Sequence, residues 1–283
     1  MKLKENRCWR SSVVLFLLET AGLYNDRQVP KAAAAMSYHL TMTFFPLIIC
    51  LYALFGQSFS TAVKLLDSIR RFLTADAADM IEKYLQYLSE GEGRTITVVA
   101  IVFLLSSSSA AIRALMNTVY DIQGSRRFGI IAGYLMSFVM ALGQLVLFYF
   151  AFAVLLTGDS FISYMQSKFK SLGRITDWTW ARFLILGGIA LAALWLTFTV
   201  LKPRRQRFHV LPGAALSTMA IVMMSYIFSV FIAASARYQL VYGSLATVIL
   251  LMFWLYLSCQ MIFLGECVNV AIRNLKKEAS KAL

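Results

Sequence analysis

Apolar residues in this chain come in blocks and do not alternate with polar ones. Six windows carry few or no charges, at 32–56, 95–116, 130–157, 181–201, 209–235 and 242–272. About 20 apolar residues are what a helix needs to cross a hydrocarbon layer of about 30 Å. A segment in lipid must satisfy its own backbone hydrogen bonds, so each window reads as a spanning helix. Continuous apolar runs without a two-residue period argue against a closed barrel. The expected fold is therefore all-α: a polytopic membrane helix bundle with six transmembrane helices, formed as a single membrane domain over 1–283.

The intervals between the windows have another pattern. Over 57–93 charges recur throughout, which excludes a span, yet Leu66, Ile69 and Leu73 recur at helical spacing, as do Ile81, Leu85 and Leu88. Asp76 is placed to cap the second of these helices, with Asp79 in its first turn. Two amphipathic helices covering the bundle are expected there, and "GDSFISYMQSKFKSLGRITDWTW" after the third window reads similarly. The first 31 residues contain the short apolar core "VVLFLL" with no A-x-A cleavage site behind it. They read as an interfacial helix, with Val13, Leu17 and Leu18 toward lipid and Trp9 at the headgroups.

Composition sharpens the picture. Residues are 59% hydrophobic and 14% charged, against about 25% charged in a soluble globular domain. The net charge of +13 would suggest nucleic acid in a soluble protein. Here its distribution sets orientation. The N-terminus, the turns after the second and fourth windows and the C-terminus, with Arg113 and Glu266 at the adjoining ends of their windows, hold 17 of the 27 Lys and Arg but 6 of the 14 acids. That asymmetry expects both termini, including a tail at 273–283, in the cytoplasm of a plasma-membrane protein. "KPRRQRFH", with Arg204, Arg205 and Arg207, is the sharpest cue and is set to meet anionic headgroups. Membrane lipids, anionic ones above all, are the expected partners. A homo-oligomer is compatible with the pattern, and nucleic acid is not expected. Cys8, Cys50, Cys259 and Cys267 form no C-x-x-C pair and read as small buried hydrophobes. With two histidines, no metal-ligand spacing, no phosphate loop and no repeat, neither a metal nor another cofactor is expected.

Polar residues inside the spans are the candidates for chemistry, because a charge in a membrane needs a partner or a watery cavity. In the sixth span Cys259, Glu266 and Arg273 lie seven apart and Asn269 follows Glu266 by three, along one helical face. Glu266 either lies shallow, meeting water or lysines, or faces the bundle interior in a pair. In the second span Ser106, Ser109, Arg113, Asn117 and Tyr120 line one stripe. Arg113 is the expected partner of Glu266. The alternative is that the serines serve close packing and Arg113 reaches lipid phosphate. The first span offers Tyr38, His39 and Pro46: a proton relay or a structural histidine, and a kink. Pro212 and Gly213 open the fifth span, and Tyr242, Gly243 and Ser244 the sixth, as helix-start geometry.

Four stretches taken together, "AAAAMSYHLTMTFFPL", "SSSSAAIRALMNTVYDI", "LPGA" and "YGSLATVILLMFWLYLSCQMIFLGECVN", resemble the YihY/BrkB family of bacterial inner-membrane proteins over about residues 25–275. Many members have "GAE" where this chain has "GE" at Gly265 and Glu266. The resemblance implies a six-helix inner-membrane protein. It brings two older functional labels, a virulence or serum-resistance factor and a ribonuclease. From the residues, the leading expectation is a transporter or flippase for a lipid, another amphiphile or an anionic solute, working without nucleotide hydrolysis and not as an enzyme. A non-transporting structural protein of the envelope comes second. A ribonuclease comes third, for want of a His and acid constellation or paired metals.

Overall fold

A computed structural model describes residues 2–55, 93–125, 129–168, 178–203, 209–234 and 244–281. Seven helices cover them: α1 (Lys2–Asp26), α2 (Val29–Phe55), α3 (Gly93–Gln123), α4 (Ile130–Lys168), α5 (Trp178–Leu201), α6 (Leu211–Ala234) and α7 (Ser244–Lys281). Five of them, α2, α3, α4, α6 and α7, are long and apolar enough to cross a membrane, and α5 contributes a shorter apolar run, Ile185–Leu201. The fold is all-helical. The amphipathic helices expected over 57–93 fall, but for the last residue, outside the described residues. So do Arg204, Arg205, Arg207, Tyr242 and Gly243.

α2, α3 and α7 pack against one another and form the centre. α6 lies against α7 and α5, α4 bridges α3 and α5, and α1 leans on α7. The core between them holds Val29, Met36, Leu115, Val119, Ile122, Phe198, Phe263 and Val270. Large apolar side chains on the outside, such as Val102 of α3, Val146 of α4 and Met219 of α6, stay exposed, as a lipid solvent permits.

The helices run further than the apolar windows. α3 continues seven residues past 116, α4 eleven past 157 as one unbroken helix, and α7 through most of the expected tail to Lys281. The end of an apolar run is not the end of the helix: the backbone ladder continues wherever neighbouring helices give polar side chains partners. α3 stops at Gly124, whose φ of 63° suits a residue without a side chain, with Ser125 N–H donating to the Tyr120 carbonyl at 3.0 Å. α1 ends at Asp26, five residues before the expected boundary. Gln28, at a φ of 51°, turns the chain into α2, whose second residue, Pro30, needs no N–H partner in a first turn. Pro46 leaves α2 continuous.

Candidate functional site

Glu266 has no exposed surface. It sits in α7 where α1, α3 and α6 converge, at the end of the bundle where α3 stops and α6 starts. Gln123, the last residue of α3, donates its Nε2 to Glu266 Oε1 at 2.7 Å. Asn269, one turn on along α7, donates Nδ2 to Oε2 at 3.0 Å. Asn269 Oδ1 in turn accepts the backbone N–H of Gly213 at 2.8 Å. That N–H is one of the orphan donors of a helix start, so Asn269 caps α6 from a neighbouring helix and hands the positive end of α6 toward the carboxylate. Arg273 donates Nη2 to the Gln123 carbonyl at 3.3 Å, satisfying an orphan acceptor at the end of α3. Asn274 Nδ2 reaches Glu19 of α1 at 2.9 Å. Four helices are thus joined through one chain of hydrogen bonds.

The backbones here are unusually close. A Cβ on Gly265 would collide with Ser217 Oγ and the Gly213 carbonyl, and one on Gly213 with the Gly265 carbonyl and the Asn269 carboxamide. Ser217 Oγ donates to the Met261 carbonyl at 3.0 Å. Small residues at a crossing bring two membrane helices together in this way. On the other flank, Tyr24 of α1 donates to Gln260 Oε1 at 3.1 Å. Burial first, then Tyr256 and Cys267, holds the Tyr24 phenol above its ordinary value, which keeps the donating proton in place.

Arg113 is not the partner of Glu266. Its Nη1 donates to Ser109 Oγ at 3.1 Å, and its guanidinium lies 4.3 Å from the centroid of the Tyr134 ring on α4. Ser109 and Ser137 of α4 share a buried hydroxyl bond at 3.0 Å. The separation follows from the extra length of α3. Glu266 is held at the level of Gln123, ten residues beyond Arg113, and ten residues of helix rise about 15 Å.

The stripe expected on α3 also divides. At 100° per residue its five members occupy an arc of about 80°. Asn117 and Ser106 fall at one edge and are exposed, Arg113 is half-buried, and Tyr120 and Ser109, at the other edge, are buried. The stripe straddles the rim of the packed face. On α2, Tyr38 is exposed and meets the half-buried His39 ring edge-on at 5.5 Å. No hydrogen bond joins His39 to Glu266 or Arg113. Among the described residues no three His, Cys, Asp or Glu converge as a metal site.

A family model described as Virulence factor BrkB matches residues 20–283. The chain belongs to the BrkB virulence-factor family. Among relatives of this BrkB-family chain, the ribonuclease-like protein YfkH of Bacillus subtilis is 26% identical over 93% of the chain and 96% of its own length. UPF0761 membrane proteins of Chromohalobacter salexigens and Aromatoleum aromaticum are 25% and 24% identical over 92% and 93% of the chain. The chain spans 63% and 65% of the length of those two. No solved structure is significantly similar.

The stretches on which the family resemblance rests carry most of the junction, since Glu266 and Asn269 lie in one and Gly213 in "LPGA". Sequence reasoning missed Gln123, although it lies three residues past Tyr120 and continues the stripe toward its buried edge. It also missed Tyr134 and Ser137, because α4 is apolar on nearly every side and an isolated polar pair gives no periodic signal.

Proposed function

We propose that this multi-pass membrane protein is a transporter or flippase of the bacterial plasma membrane that moves an anionic amphiphile without nucleotide hydrolysis. In this reading its termini lie in the cytoplasm, as the charge asymmetry expects. One observation carries the reading. The spanning region holds an arginine and a glutamate about 15 Å apart along the bundle and does not pair them. Charges inside a membrane mark functional paths unless they neutralise one another. Glu266 is supplied with donors by the protein itself. Arg113 is given no carboxylate among the described residues, a place that an anionic ligand can take, and its neighbour Tyr134 is 56% exposed. Reconstitution in vesicles tests the proposal: a fluorescent anionic lipid should exchange between leaflets faster than in empty vesicles, and Arg113→Gln should slow it at least about tenfold. Exchange equal to that of empty vesicles contradicts it.

A structural, non-transporting role is the second reading. It is favoured by the Glu266 junction, where both carboxylate oxygens are engaged and small residues lock α6 to α7. Full membrane integrity and folding without flux would select it. The ribonuclease-like name of the Bacillus relative suggests a third reading. Metal-dependent nuclease activity of the pure protein, lost in Glu266→Ala, would replace both others.

A further inference from the structure

We infer that the cradle made by Arg113, Ser109, Ser137 and Tyr134 binds the phosphate of an anionic lipid headgroup, reached sideways from the membrane between α3 and α4. This rests on the amphiphile-handling reading above and names its ligand.

Donor accounting comes first. A guanidinium carries five N–H donors and no acceptor. Arg113 uses one, on Ser109 Oγ, and the others have no acceptor among the described residues. The positive charge likewise has no carboxylate there. A phosphate supplies both missing things at once: negative charge, and two oxygens spaced for the guanidinium fork.

The direction of the side chain comes second. An arginine stretching out of the hydrocarbon would extend along α3 toward Gln123, the nearer end of the helix. Arg113 folds back one turn onto Ser109, deeper in the span, and over the Tyr134 ring. The buried bond between Ser109 and Ser137 fixes the floor beneath it. The guanidinium is therefore positioned within the spanning region and has not been withdrawn from it.

The third argument is the approach. Tyr134 stands four residues into α4, about 6 Å from its start, so the cradle opens beside the end of α4 and not at its middle. Ile130, Ile131, Leu135, Phe138 and Val139 of the same helix are exposed and apolar, a surface for the acyl chains of a lipid whose phosphate sits on Arg113. A water-borne phosphate would have no use for that apolar approach.

The test uses the purified full chain in detergent, titrated with short-chain phosphatidylglycerol, short-chain phosphatidylcholine and inorganic phosphate, with binding read by native mass spectrometry and intrinsic fluorescence. Phosphatidylglycerol should bind at least about tenfold more tightly than phosphatidylcholine. Arg113→Gln should abolish the preference. Arg113→Lys, which keeps the charge and loses the fork, should keep part of it and also guards against a Gln variant that fails to fold. Tyr134→Leu should weaken binding several-fold. An undiminished preference in Arg113→Gln or Arg113→Lys overturns the site. Displacement of the lipid by millimolar inorganic phosphate overturns the lipid assignment in favour of a soluble phosphate. Arg113-dependent binding without any leaflet exchange supports the site and removes the transport reading. Exchange with no Arg113-dependent binding does the reverse.

Discussion

Glu266 and Arg113 belong to the same bundle and have opposite surroundings. Around Glu266 the protein is closed. Two carboxamides donate to it, one of them caps α6, Arg273 finishes α3, and Gly213, Gly265 and Ser217 leave no room for a ligand. Around Arg113 the protein is open on one side, and among the described residues one hydroxyl plus one aromatic face are all that meet a five-donor cation. The contrast separates two uses of a charge in a membrane. A charge whose hydrogen bonds are all made within the fold ties helices together; one whose bonds are left unmade is set to meet something mobile. The junction between α6 and α7 reads as the first, the α3–α4 cradle as the second.

The closed region should break most completely. Gly265→Val drives a branched side chain into Ser217 and the Gly213 backbone, and backbone cannot yield as a flexible side chain does. Gel filtration of the fluorescently tagged protein should show loss of the folded peak, whereas Gly187→Val on α5, where nothing lies within 4 Å, should elute normally.

Next in size is Glu266→Ala. It strands the Gln123 and Asn269 donors in a site with no water access, at about 1–3 kcal/mol for each buried donor left unpaired. Thermal unfolding in detergent should fall clearly, and Glu266→Gln, which keeps one acceptor, should fall less. Asn269→Ala should cost about 1–2 kcal/mol, the usual loss of a helix cap together with the bond to Glu266. Stability equal to wild type in all three would show that the junction is not glue.

The smallest effect is the most discriminating for the pair. Since Arg113 and Glu266 lie about 15 Å apart, the stability changes of Arg113→Gln and Glu266→Gln should add to within about 0.5 kcal/mol in the double variant. Rescue of one by the other would restore the direct pairing that the sequence suggested.

Much of this was readable before any coordinates. The apolar windows locate α2 to α7 because lipid demands uninterrupted runs. The spacing of Glu266, Asn269 and Arg273 put them on one face because one helix carries all three. The pairing of Arg113 with Glu266 was misread for a definite reason. The apolar run ends at 116, which set Arg113 near the rim of the bundle. α3 actually runs to Gln123, leaving Arg113 nearly three turns from its end. Polar helix beyond the apolar run is invisible to hydropathy, because its stability comes from partners on other helices, such as Arg273 and Asn269. Close approach at Gly213 and Gly265 is invisible for a similar reason: a lone glycine does not say which backbone it faces.

The claim that the two charges serve separate purposes can be tested in one experiment. The apparent melting temperature of the full chain would be followed in nanodiscs as phosphatidylglycerol replaces phosphatidylcholine, for wild type, Arg113→Gln and Glu266→Gln. Wild type should rise with anionic lipid, since a ligand that binds the folded state stabilises it. Glu266→Gln should start lower and rise in parallel with wild type, while Arg113→Gln should start near wild type and stay flat. A flat response in Glu266→Gln, or a full response in Arg113→Gln, would contradict the account.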